Sequence, residues 1–365
     1  MHTDPHSSAR PRTVSTDAAP ASPASTATAP AAAPSSESPA RGSLRGRALV
    51  LGGGGSTGNA WLIGVLAGLA DAGVDVTSAD LTIGTSAGAT AAAQLGGATP
   101  TELYAAVLDS APPTPAGSAT DTAAASVPER GRPAEFPRGA AAHLERLRAI
   151  IEVSEDLADL RRRVGAAALG GTEVKPADGS GGADADGHDA DQQDADRSGR
   201  WRAVVAARLP RQEWPDRALI LTAVDARTGE PVLLDRASGL DLADAVAASC
   251  AGGGFAHRIG DLRLIDGGYR INADNADLAA GSERVLVLSP LSGRSLHPAA
   301  WGTDLASQVS ALRAQGSRVE TVYPESRAEH LFGANAMRAA LRPEAARAGF
   351  AQGWRISGRI AELWR

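Results

Sequence analysis

At 365 residues, with 41 Gly, 22 Pro and only 4% aromatics, the chain is long enough for two average domains but holds less packable interior than that length implies. Thirty-six basic against 42 acidic side chains leave a formal charge of -6, which argues against a broad cationic face for nucleic-acid phosphates. A lone cysteine, Cys250, excludes an intramolecular disulfide and a thiolate metal cluster, and no apolar run approaches the roughly 18 residues of a membrane span.

Residues 1–46 are nearly all Ala, Pro, Ser, Thr and short polar side chains, too poor in apolar surface to offset the entropy of ordering, and read as a disordered tail. The start of the chain lacks the cationic-then-apolar layout of a secretory signal, so the expected location is cytoplasmic, with any membrane contact peripheral. Arg47–Leu51 (RALVL) reads as the first buried strand, followed by a helix over 59–72 with Leu62, Leu66 and Leu69 at helical spacing. Leu81–Gly84 and Ala87–Leu95 repeat the pair. The stretch 111–139 returns to the composition of the tail, and 172–200 is a Gly/Ala/Asp run; both read as low-complexity insertions. Eight acidic against three basic residues put -5 of the total -6 into 172–200. A calcium loop counted from Asp184 would need Gly and Glu where Asp189 and Ala195 stand, so the run reads as a solvated acidic loop. Strands over 218–224, 262–265 and 284–288 and helices over 240–251 and 301–314 complete the pattern. Strand alternating with helix predicts a mostly parallel sheet covered on both faces, with the chemistry in loops that follow strands.

Three such loops carry unusual residues. Gly52, Gly53, Gly54, Gly55 and Gly58 stand between the first strand and helix, and their unobstructed amides at a helix N-terminus suit an anion. Gly53, Gly55 and Gly58 satisfy the dinucleotide pattern GxGxxG, yet the acidic residue wanted at the end of the second strand is absent, Asp80 preceding that strand. The same amides can form an oxyanion hole. After the second strand, Gly84-Thr85-Ser86-Ala87-Gly88 is a GxSxG elbow that would lift Ser86 Oγ above the sheet and aim the Ala87 amide at the same oxyanion.

A serine needs a base. His2 and His6 fall in the tail, His188 in the acidic run, and His143, His257 and His330 in unpromising contexts; only His297, after the 284–288 strand, resembles the late histidine of a Ser-His-Asp triad. Asp266 fits more sharply, because Gly267 and Gly268 let the chain turn tightly as its strand ends, and partial desolvation would raise an aspartate into a useful range.

These residues resemble the patatin-like phospholipase family, whose signatures are a GGGxRG loop, GxSxG, and DGG or DGA. They stand here in family order as Gly53 to Gly58, Gly84 to Gly88, and Asp266-Gly267-Gly268, together with LADAVAASCA and NADLA stretches, between residues 47 and 281. The resemblance implies a three-layer α/β/α fold over 47–365 and hydrolysis of lipid acyl esters without metal or organic cofactor. It casts Ser86 as nucleophile, Asp266 as proton acceptor, and the Gly53, Gly54, Gly55 and Ala87 amides as oxyanion donors. Thr57 replaces the family's Arg or Lys, which opens the alternative of a weakly active or inactive lipid-binding protein, and Ala251 to Phe255 (AGGGF) replaces a more apolar, proline-containing stretch, which bears on substrate preference. Residues 350–365 interleave Trp354, Ile356, Ile360, Leu363 and Trp364 with Arg355, Arg359 and Arg365. Such a basic amphipathic helix is expected to dock on its own domain or, alternatively, on an anionic membrane.

Overall fold

The computed structural model describes residues 46–110, 140–170 and 186–365, all within one unit of the chain, Ser36–Arg365. The elements in chain order are β1 (Arg47–Leu51), α1 (Gly55–Asp71), β2 (Leu81–Gly84), α2 (Ala87–Leu95), α3 (Pro100–Asp109), α4 (Ala140–Glu152), α5 (Leu157–Ala168), α6 (Asp186–Ala206), β3 (Ala218–Asp225), β4 (Pro231–Leu234), α7 (Leu242–Ser249), β5 (His257–Ile259), β6 (Leu262–Asp266), β7 (Arg284–Leu288), α8 (Leu305–Ala314), β8 (Arg318–Val322) and α9 (Arg342–Trp364). Among the described residues the strands form one eight-stranded sheet in the order β5-β6-β3-β2-β1-β7-β8, with β4 paired to β3. The run from β3 to β8 is parallel, and β4, β5 and β6 pair antiparallel at one edge.

Strand alternation sorts the core into two layers. In β1, Leu49 and Leu51 join the cluster shared with α1, α2, α7 and α9, whereas Ala48 and Val50 join the cluster on the opposite face with α8. Strand β7 does the same with Leu286 and Leu288 against Val285 and Val287. Both faces of each strand are therefore apolar, as a sheet covered on both sides requires, and each fully buried Leu contributes about 1.5–3 kcal/mol. The α/β/α expectation is met.

Helix α1 lies deepest. Every residue from Thr57 to Leu69 is buried, because α1 is covered by the sheet on one side and by α9 on the other. The two helices cross backbone against backbone. A Cβ at Gly64 or Gly68 would strike the carbonyl oxygens of Ala346 or Phe350, and one at Gly349 or Gly353 those of Trp61 or Val65.

Several expectations need correction. Helix α1 starts at Gly55 rather than near 59, so Gly55 and Gly58 belong to its first turn. The second half of the acidic run is helical, not a loop: α6 docks through buried Ser198 and Val205, and the Trp201 indole donates to Ala247 O at 2.9 Å. Composition hid this because the anchoring residues follow the aspartates. Residues 1–45, 111–139 and 171–185, which include the rest of that run and nearly all of the tail, lie outside the described residues. Of the C-terminal stripe, Ile360, Leu363 and Trp364 are buried against the chain's own fold, while Trp354 stays 57% exposed. No helix among the described residues is long and apolar enough to cross a membrane.

Candidate active site

Ser86 sits between β2 and α2 with φ 52 and ψ -112, the sharp turn that a nucleophile elbow needs and a non-glycine residue resists. The flanking glycines allow it. A Cβ on Gly88 would run into the Leu51 carbonyl, so only glycine lets α2 start directly against the end of β1. The strained residue is held at both backbone groups by the last turn of α7. Ser86 N-H donates to Ser249 Oγ at 3.0 Å, while Cys250 Sγ donates to Ser86 O at 3.1 Å. The thiol stays neutral, its pKa pushed up to about 12 by burial and by the nearby Asp266 charge.

Asp266 ends β6, which runs antiparallel to β3 and pairs Asp266 with Ala223. The carboxylate reaches the elbow because β3 extends past the level of Gly84, whose partner is Leu221. Gly267 is pressed against Thr222 so closely that a Cβ would collide with its hydroxyl and carbonyl. Asp266 Oδ1 accepts the Gly268 amide at 2.8 Å. Burial pushes the Asp266 pKa up to about 6, opposed by that amide and by the nearby Ser86 side chain. The fold thus brings the Asp266 carboxylate to the side of the Ser86 elbow.

Beneath them lies a node that no motif announced. Asn275, fully buried and left-handed at φ 52, donates through Nδ2 to Thr85 Oγ1 (3.0 Å) and Gly267 O (2.9 Å). Thr85 Oγ1 in turn meets Thr222 Oγ1 at 2.9 Å, so the serine turn, the aspartate turn and β3 are fastened together. The readable signal was the NADLA stretch alone.

The glycine loop runs beside the serine, where a side chain at Gly53 would touch Ser86 Cβ at 3.5 Å. Gly53 N-H, however, donates to Ala273 O at 2.8 Å, so this expected oxyanion donor is already engaged. The Gly54, Gly55 and Ala87 amides carry no hydrogen bond among the described residues. Gly252 lies on the other side of the carboxylate, where a side chain would come 3.7 Å from Asp266 Oδ2. Gly253 and Gly254, both at positive φ, have open space beyond them.

None of His143, His257, His297 and His330 is hydrogen-bonded to Ser86. His297 Nδ1 pairs with Thr303 Oγ1 at 2.9 Å, His143 with Tyr269 OH, His257 with Asp244 and His330 with Glu344. The Ser-His-Asp alternative is not assembled among these residues. Nor does any cluster of metal-ligating side chains occur among them.

Behind the loop, Asp274 is 2% exposed, and its Oδ1 lies against Gly52 with no hydrogen-bond partner. Burial pushes its pKa up to about 7, opposed in part by the nearby Ser289 side chain. The folded state therefore keeps a proton that the unfolded chain releases, and stability falls as pH rises from about 4 to about 7. Asp274→Asn should raise Tm at pH 8, the gain in stability being at most about 4 kcal/mol, and change Tm little at pH 4. Thermal melts at the two pH values check this; no gain at pH 8 would refute it.

The family model described as patatin-like phospholipase matches residues 49–279, a span holding all three loops. The chain belongs to the patatin-like phospholipase family. The match begins inside β1 and ends just after the Asn275 node, so the patatin signatures coincide with the site assembled here, whereas α8, β8 and α9 lie beyond it. Among solved structures, the crystal structure of the type III effector protein ExoU is similar at 13% identity and TM-score 0.28, covering 85% of this chain. This chain spans 54% of that one. No individually curated protein matches. Within the patatin site, Ser249→Ala should lower kcat about tenfold at unchanged KM by leaving the Ser86 amide without its acceptor, equivalent to ~1.4 kcal/mol. Steady-state kinetics on a chromogenic ester would reveal it, and an unchanged kcat would count against the clamp.

Proposed function

We propose that the chain is a serine acyl hydrolase that cleaves fatty-acyl esters of membrane lipids through a Ser86-Asp266 dyad. The observation that carries this reading is the strained Ser86 elbow at the end of β2 with, beside it, a buried carboxylate whose pKa burial has raised to about 6. A base tuned to that range takes a proton from serine far better than an ordinary aspartate. Ser86 Oγ attacks the ester carbonyl as its proton passes to Asp266, and the oxyanion is met by the Gly54, Gly55 and Ala87 amides. Asp266 then gives the proton to the departing alkoxide. In the second half, Asp266 takes a proton from water, whose oxygen attacks the acyl-enzyme, and returns it to Ser86 Oγ as the fatty acid leaves. Every proton is handled by one carboxylate, and no step calls for a metal or organic cofactor.

A fluorophosphonate probe should label the wild type but not Ser86→Ala, and a panel of phospholipid, lysophospholipid and neutral glyceride should identify the substrate class. Labelling without turnover of any lipid would favour a lipid-binding protein; absence of labelling would remove the nucleophile.

A further inference from the structure

Arg342 opens α9, outside the residues matched by the family model, and is half-buried against the first turn of α1. Its Nη1 donates to Ser56 O at 2.8 Å and lies 3.3 Å from Ser56 Oγ, while Nη2 donates to Asn59 Oδ1 at 3.1 Å. Asn59, itself buried, passes the connection on through Nδ2 to Ala87 O at 3.4 Å and Gln94 Oε1 at 3.1 Å. One guanidinium thus reaches the starts of both helices that bear the free amides, α1 after Gly54 and α2 at Ala87.

The surroundings do not favour a cation. The N-terminal end of α1 carries positive partial charge, Arg208 repels it, and no carboxylate among the described residues pairs with it. Burial together with Arg208 lowers its pKa to about 10, leaving it charged at neutral pH. The same first turn is where Thr57 stands without a cationic side chain, its hydroxyl donating instead to Ala336 O at 3.3 Å. A positive charge absent from the glycine loop itself is present beside it, delivered from the far end of the chain.

We propose that Arg342 is a positioning residue for the reaction: through Ser56 and Asn59 it fixes the α1 and α2 starts so that their amides converge on the oxyanion, and its uncompensated charge favours that anion. The inference rests on the acyl-hydrolase reading. A planar fork matters here, because two acceptors on α1 must be met at once, which an ammonium does less well.

The test compares wild type, Arg342→Lys and Arg342→Met on a long-chain p-nitrophenyl ester, with kcat expressed per fluorophosphonate-labelled site and a thermal melt for each. The expected result is a kcat loss of 30-fold or more for Met and 3- to 10-fold for Lys. KM should stay within twofold, and the acid limb should keep its wild-type position, because the guanidinium is bound to α1 rather than to Asp266. A purely structural role would lower Tm and the fraction labelled but leave kcat per labelled site intact, and that outcome overturns the proposal. If Met fails to fold, Lys decides, since it keeps the charge: unchanged kcat refutes the proposal and a several-fold loss supports it. A wild type that neither hydrolyses the ester nor takes the label would overturn the acyl-hydrolase reading and this one with it. An active wild type alongside an equally active Met variant overturns this one alone.

Discussion

Replacing Ser86 with alanine or Asp266 with asparagine is expected to lower kcat by a factor of about 10³ or more, each alone doing nearly as much damage as both together. Without Oγ there is no acyl-enzyme; without the carboxylate the hydroxyl keeps its proton. Asp266→Asn is the sharper probe, since the amide preserves size and can still accept the Gly268 N-H but cannot act as base. The wild type adds a pH signature. Because Asp266 works only when ionised and burial raises its pKa to about 6, kcat/KM should rise through an apparent pKa near 6 and fall tenfold per pH unit below it. A limb near 4 would mean that the carboxylate is solvated during turnover. Full activity of either variant would remove the dyad.

A second large effect is expected far from the chemistry. Gly68→Val should cost roughly 3 kcal/mol or more, lowering Tm by about 6–12 °C, because the added atoms meet the Phe350 carbonyl and the Trp354 amide rather than a side chain that could turn aside. The helices must separate, and fully buried Trp61 and Ile360 lose packing as they do. Gly358 is the internal control. It lies exposed on α9 with open space around it, so Gly358→Ala should gain up to about 1 kcal/mol from helix propensity. A Gly68→Val melt within 2 °C of wild type would show that the crossing is looser than its geometry implies.

Much of the site was legible because its chemistry is local. A strand, a tight turn and a helix N-terminus put Ser86 where five consecutive residues said it would be, and Asp266 likewise announced itself by the two glycines that follow it. Strands β1, β2, β3 and β7 were legible through their continuous apolar runs, whereas β4 and β5 are too brief to show a period and β8 (RVETV) breaks its apolar residues with Glu320 and Thr321. What stayed hidden depends on partners distant in sequence. The Gly53 amide is engaged by Ala273, Ser86 is clamped by Ser249 and Cys250, and Asn275 ties three segments together; none of these pairings leaves a local pattern. Arg342 is the extreme case, reading in sequence as one more arginine in a basic C-terminal region.

The crossing of α1 and α9 also imposes an order on the life of the molecule. The Trp61 indole meets its partner Gln352 across 291 residues of sequence. At a synthesis rate of ~5–20 residues per second, α1 would emerge from the ribosome roughly 15–60 s before the helix that covers it. For that interval an almost wholly apolar helix has only part of its shelter, and the glycine loop at its start lacks Arg342. The α1 start therefore acquires its Arg342 hydrogen bonds only once α9 docks, long after the glycine loop itself has been made.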